Sequence, residues 1–105
     1  MKPIVFLASS MGDLRNFPAD ARREAGHQLD RVQHGKEPDD WKPMPTIGPG
    51  VQEIRVRDET GAFRVIYLAN RQAAVYVLHA FRKTTQKTAA RDLALAALRL
   101  RQLVR

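Results

Sequence analysis

The sequence predicts an α+β domain, in which one run of short strands forms an antiparallel sheet and helices lie before and after it. Between Val51 and Phe81, three segments rich in β-branched and aromatic residues are separated by short polar turns. On either side, stretches starting at Pro18 and at Thr85 carry apolar residues at helical spacing. The chain has 105 residues, 44% hydrophobic and 28% charged, which suits one globular domain over residues 1–105 with a modest core.

Taken in order, Pro3 to Ala8 reads as a short strand, and Met11 to Phe17 as a turn or a single helical turn. The segment from Pro18 to Gly35 reads as a helix. Proline suits its first position and glycine its end, and Ala21, Ala25, Leu29 and Val32 form one apolar stripe. Glu37 to Gly50 holds four of its turn-forming residues as Pro38, Pro43, Pro45 and Pro49, and reads as a loop. Val51 to Arg57 alternates as a strand. Asp58-Glu59-Thr60-Gly61 is a turn, Ala62 to Ala69 a second strand, Asn70 to Ala73 another turn, and Ala74 to Phe81 a third strand. Connections this short pair the strands as a meander. Thr85 to Arg105 reads as a final helix, with Ala90, Leu93, Ala97, Leu100 and Val104 inward and Thr85 or Thr88 as cap. The order is β-α-β-β-β-α.

Strand register adds a functional expectation. A turn centred on Glu59-Thr60 places Arg57 opposite Ala62 and Arg55 opposite Arg64. A four-residue turn at Asn70 to Ala73 places Arg64 opposite His79, so Arg55, Arg64 and His79 form one row. The other face then carries Ile54, Val56, Phe63, Val65, Tyr67, Tyr76, Leu78 and Ala80 as core. A bulge in a strand would break the row, because one residue of slip exchanges its faces.

Charge indicates the partner class. The formal net charge is +7, which favours an acidic partner such as nucleic acid, an anionic membrane surface or an acidic protein. Two arginines directly opposite each other repel, and Glu53, diagonal to Arg64, offers partial neutralisation. A phosphate matches the guanidinium fork better. Lys83 and Lys87 precede the last helix, whose free N–H groups also favour an anion. His79 titrates near neutrality and suits proton transfer. His27 and His34 have no partner at metal-ligand spacing and read as solvated.

Other features narrow the chemistry. The chain has no cysteine, no Gly-rich phosphate loop, no dinucleotide fingerprint and no serine-triad elbow. Acidic residues do not cluster beside the basic row, so two-metal cleavage is not expected and neither a metal nor a cofactor is implied. No apolar stretch reaches the roughly 20 residues of a membrane span, and Ile4 to Ala8 is too short for a signal peptide, so a cytoplasmic protein is expected. Metal-free chemistry on a phosphodiester and plain binding both remain. RNA supplies its own 2′-hydroxyl as nucleophile, and the reaction then needs a base, an acid and cations on the phosphate.

Three pieces in order, Gly50-Val51-Gln52-Glu53-Ile54-Arg55, Phe63-Arg64-Val65-Ile66-Tyr67 and Val77-Leu78-His79-Ala80-Phe81, lead into Lys83-Thr84-Thr85-Gln86-Lys87-Thr88. Together they resemble the RelE-like toxin superfamily, in particular its phage-derived HigB-type branch. Thr84 stands where a second lysine is common in that branch, and Gln52 where many members carry an aromatic. The resemblance implies a small antiparallel sheet in the order β-α-α-β-β-β-α, with N-terminal helices packed on it and a C-terminal helix. It implies the toxin of a type II toxin–antitoxin pair, a ribosome-dependent mRNA endonuclease leaving a 2′,3′-cyclic phosphate. It also implies two partners, mRNA on the ribosome and a cognate helix-turn-helix antitoxin. The implied catalytic residues are Arg55, Arg64, His79 and Lys83, with Arg57, Arg82 and Lys87 holding RNA. A gyrase-directed toxin of the ParE kind and a non-catalytic RNA- or protein-binding module are the competing expectations.

Overall fold

In a computed structural model, which describes residues 1–84 and 86–103, five strands and three helices form an α+β fold. In chain order they are β1 (Ile4–Phe6), α1 (Ser10–Arg15), α2 (Ala19–Gln33), β2 (Trp41–Pro43), β3 (Val51–Asp58), β4 (Gly61–Leu68), β5 (Val75–Lys83) and α3 (Ala90–Leu103). The sheet order is β1-β5-β4-β3-β2. All neighbours are antiparallel except β1, which runs parallel to β5.

Helices cover both faces of this sheet. On one face, Ala21, Ala25, Leu29 and Val32 of α2 pack with Leu14 and Phe17 against Ile54, Val56, Phe63, Val65 and Tyr67. This is the apolar stripe expected from the sequence, and α2 ends at Gln33, two residues before the expected Gly35, which follows the capping His34 at a φ of 80° that glycine adopts freely. Pro18 caps α2 instead of opening it. On the other face, Met44, Val51, Ile66, Leu68, Leu78 and Phe81 pack against Ala96 of α3, joined by Leu93, Leu100 and Leu103. The sequence reading expected one core face, so this second core corrects it.

The stretch read as a loop contains a strand. Trp41, Lys42 and Pro43 pair with Ile54, Glu53 and Gln52. Pro43 removes a donor from the ladder, and such a residue is tolerated only because β2 is an edge strand. The last helix begins at Ala90, five residues later than expected. Thr88 does not cap it but donates from Oγ1 to Glu53 Oε2 at 3.0 Å. The other expected cap, Thr85, and the expected core residue Val104 lie outside the described residues. The inward face of α3 includes Asp92 and Arg99, whereas Ala90 is exposed.

The first hairpin has the expected register, with Arg55 opposite Arg64 and Arg57 opposite Ala62. The Asp58 side chain closes its turn by accepting from the Thr60 and Gly61 amides at 2.7 and 3.1 Å. The second hairpin does not follow expectation. Its turn is longer, so Leu68 meets Tyr76, and a bulge at Leu78 then places Ile66 opposite His79. The longer turn turns Val75 and Val77, in place of Tyr76 and Leu78, toward α2. The bulge restores the original faces beyond it but leaves the strand shifted by two residues in all. Arg64 therefore faces Phe81 where His79 was expected.

Candidate functional site: a cationic sheet face around Glu53

Directly opposed residues in a sheet share a face, so the register defines three rows on the α3 side. They are Lys42–Glu53–Ile66–His79, Arg55–Arg64–Phe81 and Arg57–Ala62–Lys83. Four expected site residues (Arg55, Arg57, Arg64 and Lys83) thus come together, and Lys42 joins them. Sequence reading missed Lys42 because β2 was taken as loop. Its only signal was the Trp-Lys-Pro run, too short for a periodicity.

Glu53 sits in the middle, fully buried, with Oε1 3.5 Å from Arg64 Nε and 3.9 Å from Arg55 Nε. Arg64 is buried as well, and its NH1 donates to the Phe63 carbonyl at 3.0 Å. Burial lowers the Arg64 pKa, Glu53 opposes that, and Arg55 adds to it as a like charge. Lys83 is held below its ordinary value of 10.5, first by desolvation and next by the Arg64 charge, with Lys42 and Arg55 contributing. Arg55, Asp40, Arg57 and Arg64 border a small cleft of about 60 Å³. A larger one of about 430 Å³ lies alongside, between Lys42, Met44, Lys87, Thr88 and Leu93, so Lys87 extends the same side of the molecule.

His79 and Arg82 lie elsewhere. His79 Nε2 is 2.7 Å from Asp92 Oδ1, and Arg99 NH1 lies 3.3 Å from its Nδ1. The same Arg99 group donates to the Leu78 carbonyl at 2.9 Å, and Arg99 NH2 donates to Ser9 Oγ at 3.0 Å. Both ring nitrogens are thus engaged, and the ring stacks on Phe81 at 5.0 Å between centroids. This network of His79, Asp92 and Arg99 ties β5 to α3 and to the start of α1. The seven-residue spacing of Asp92 and Arg99, two turns apart on the stripe side of α3, was its sequence signal. Arg82 is opposite Phe63 and so on the α2 face. Its guanidinium lies 5.2 Å from the Phe63 ring centroid and donates to the Thr60 carbonyl, which pins the first hairpin.

A cleft of about 640 Å³ runs between α1 and α3 along β5, bordered by Asp13, Asn16, Arg91 and Leu95. Beyond Val77 that edge of β5 has no strand neighbour among the described residues. No group of three or more His, Asp or Glu side chains is arranged to hold a metal ion among the described residues. No helix among them is long and apolar enough to cross a membrane.

The five-stranded α+β fold thus carries a cationic cluster on the sheet face that α3 packs against. Residues 12–101 match the family described as Phage derived protein Gp49-like (DUF891), and the chain belongs to that family. No curated protein matches it. Gln52, where the toxin branch often has an aromatic, accepts a hydrogen bond from the Tyr67 hydroxyl at 2.5 Å. Gln52 thus lies on the α2 side of the sheet, away from the cationic face.

Proposed function

We propose that this protein is the toxin of a type II toxin–antitoxin pair and cleaves mRNA on the ribosome without a metal ion. The observation that carries the reading is the Arg55–Arg64 opposition, flanked by Lys83 and Lys42 and partly balanced by the buried Glu53 carboxylate. Like charges set directly opposite destabilise a sheet, and a bound phosphate relieves that repulsion. Membership of the phage-derived family and its likeness to RelE-type toxins supports RNA as the polyanion.

In this reading, Arg55 and Arg64 hold the non-bridging oxygens of the scissile phosphate. As the RNA 2′-oxygen attacks phosphorus and its proton passes to solvent water, charge accumulates on the non-bridging oxygens and the guanidinium groups stabilise it. The bond to the 5′-oxygen breaks and a 2′,3′-cyclic phosphate remains. Lys83, whose ammonium gives up its proton more readily than a free lysine, donates it to the leaving oxygen. Arg57, Lys42 and Lys87 hold neighbouring phosphates. His79, engaged at both nitrogens and separated from Arg64 by Phe81, acts as a positioning residue that fixes β5 and α3. A helix-turn-helix antitoxin is the proposed second partner.

The direct test is incubation of purified protein with translating ribosomes on a defined mRNA. The expected result is cleavage in the presence of EDTA, with fragments ending in 2′,3′-cyclic phosphate. Intact mRNA together with poisoned DNA gyrase would move the assignment to the ParE kind. Intact mRNA and unaffected gyrase would leave only a binding module.

A further inference from the structure

Glu53 is a fully buried carboxylate whose Oε1 accepts no hydrogen bond, and the facing Arg55 Nε and Arg64 Nε donate none. A buried ion pair kept for stability ordinarily closes such bonds, because unmet polar groups are costly in the interior. Here the three atoms stand 3.5 and 3.9 Å apart, in electrostatic contact but short of bonding. The other carboxylate oxygen accepts a hydrogen bond from Thr88, in the loop that carries Lys87. Lys42 lies directly opposite Glu53 on β2, so cations approach it from three strands.

We infer that Glu53 is the internal counter-anion of the cationic face. It aims the Arg55 and Arg64 guanidinium groups and competes with phosphate for them. Phosphate therefore binds this face more weakly than it would an arginine pair without a counter-anion. The Thr88 bond makes the same carboxylate an anchor for the loop before α3. The inference rests on the phosphodiester reading of this face.

The test compares wild type, Glu53→Gln, Glu53→Asp and Thr88→Val. Inorganic phosphate is titrated while the arginine Nε–H resonances are followed by NMR, and RNA cleavage is measured as kcat and KM separately. Removal of one unit charge a few ångströms from the anion is expected to tighten phosphate binding about tenfold in Glu53→Gln, with a lower KM, while loss of the carboxylate that aims both guanidinium groups lowers kcat. Glu53→Asp withdraws the carboxylate from both arginines but keeps the charge, so its phosphate affinity rises by less and its kcat still falls. Thr88→Val keeps phosphate affinity at the wild-type value and weakens RNA binding only.

A purely structural Glu53 would lower the folded fraction and leave phosphate affinity and KM unchanged in the Gln and Asp variants, which overturns the inference. If Glu53→Gln does not fold, an unchanged phosphate affinity in Glu53→Asp overturns it equally. Absence of phosphate binding in wild type and all variants would remove the phosphodiester reading itself. Tighter phosphate binding in the variants without RNA cleavage by any of them would keep the counter-anion and discard the nuclease.

Discussion

Asp92→Ala tests the placement of His79 in the scaffold. Asp92, His79 and Arg99 are 8%, 5% and 7% exposed, so their bonds are shielded from water. The Asp92–His79 bond is 2.7 Å long, and the alanine removes it and strips α3 of its link to β5. A buried hydrogen bond to a charged group contributes about 1.5–3 kcal/mol, and the orphaned imidazole adds a desolvation cost, so a loss of about 2–4 kcal/mol is expected. In a domain of this size that is a fall in Tm of about 10–20 °C. Urea unfolding followed by circular dichroism gives the free energy, with an unchanged m-value as the check that the unfolded state is the same. Asp92→Asn keeps an acceptor oxygen and should lose about half as much. Phosphate affinity of the folded variants should match wild type. A stability change below about 0.5 kcal/mol, or phosphate binding lost in a variant that is still fully folded, would refute the scaffold role and return His79 to the reacting site.

Other perturbations read the remaining parts of the account. Arg55→Ala, at a half-exposed position, should weaken RNA binding and reduce the slope of log affinity against log salt by about one phosphate contact, measured by fluorescence anisotropy between low and moderate salt. Gly50→Ala should destabilise the fold by about 1–3 kcal/mol in the same urea assay, since Gly50 sits at φ 80° and a Cβ there would run into the Asn70 amide. Phosphate affinity should decline on an alkaline limb that begins below 10.5, because the Lys83 pKa is depressed in the folded protein. Across that window the unfolded chain holds more protons than the native one, so stability contributed by Lys83 rises with pH while anion affinity falls. Lys83→Met should remove that limb from the phosphate titration.

The first hairpin and α2 were legible because each obeys one simple periodicity. Ala21, Ala25, Leu29 and Val32 mark a single stripe, and the Asp58–Gly61 turn leaves one register open to the flanking strands. Arg55 beside Arg64 followed directly. Beyond that, three physical causes hid the rest. β2 is three residues long and contains a proline, so pairing with β3 creates it and no local propensity does. The Leu78 bulge is a tertiary feature. Val75, Val77 and Ala80 pack against the α1/α2 layer while Leu78 and Phe81 pack beneath α3, and only an extra residue satisfies both layers. The start of α3 was set five residues early because Thr88 is recruited by Glu53 across the sheet, a contact between residues far apart in sequence. Of the candidate site, the pairing of the two arginines and the neutralising carboxylate were readable. Lys42 and the structural engagement of His79 were not, since both depend on which strand lies beside which.

The central claim is that the Arg55–Arg64–Lys83 face cuts mRNA. Induced expression with genome-wide mapping of mRNA 5′ ends, run beside Arg55→Ala and Lys83→Ala, tests it most directly, since both side chains lie outside the buried core. New 5′ ends within coding regions, together with growth arrest, are expected for the wild-type protein. Both variants, folded and expressed to the same level, should leave transcripts intact. Growth arrest with no new ends, or the same ends in both variants, would contradict it.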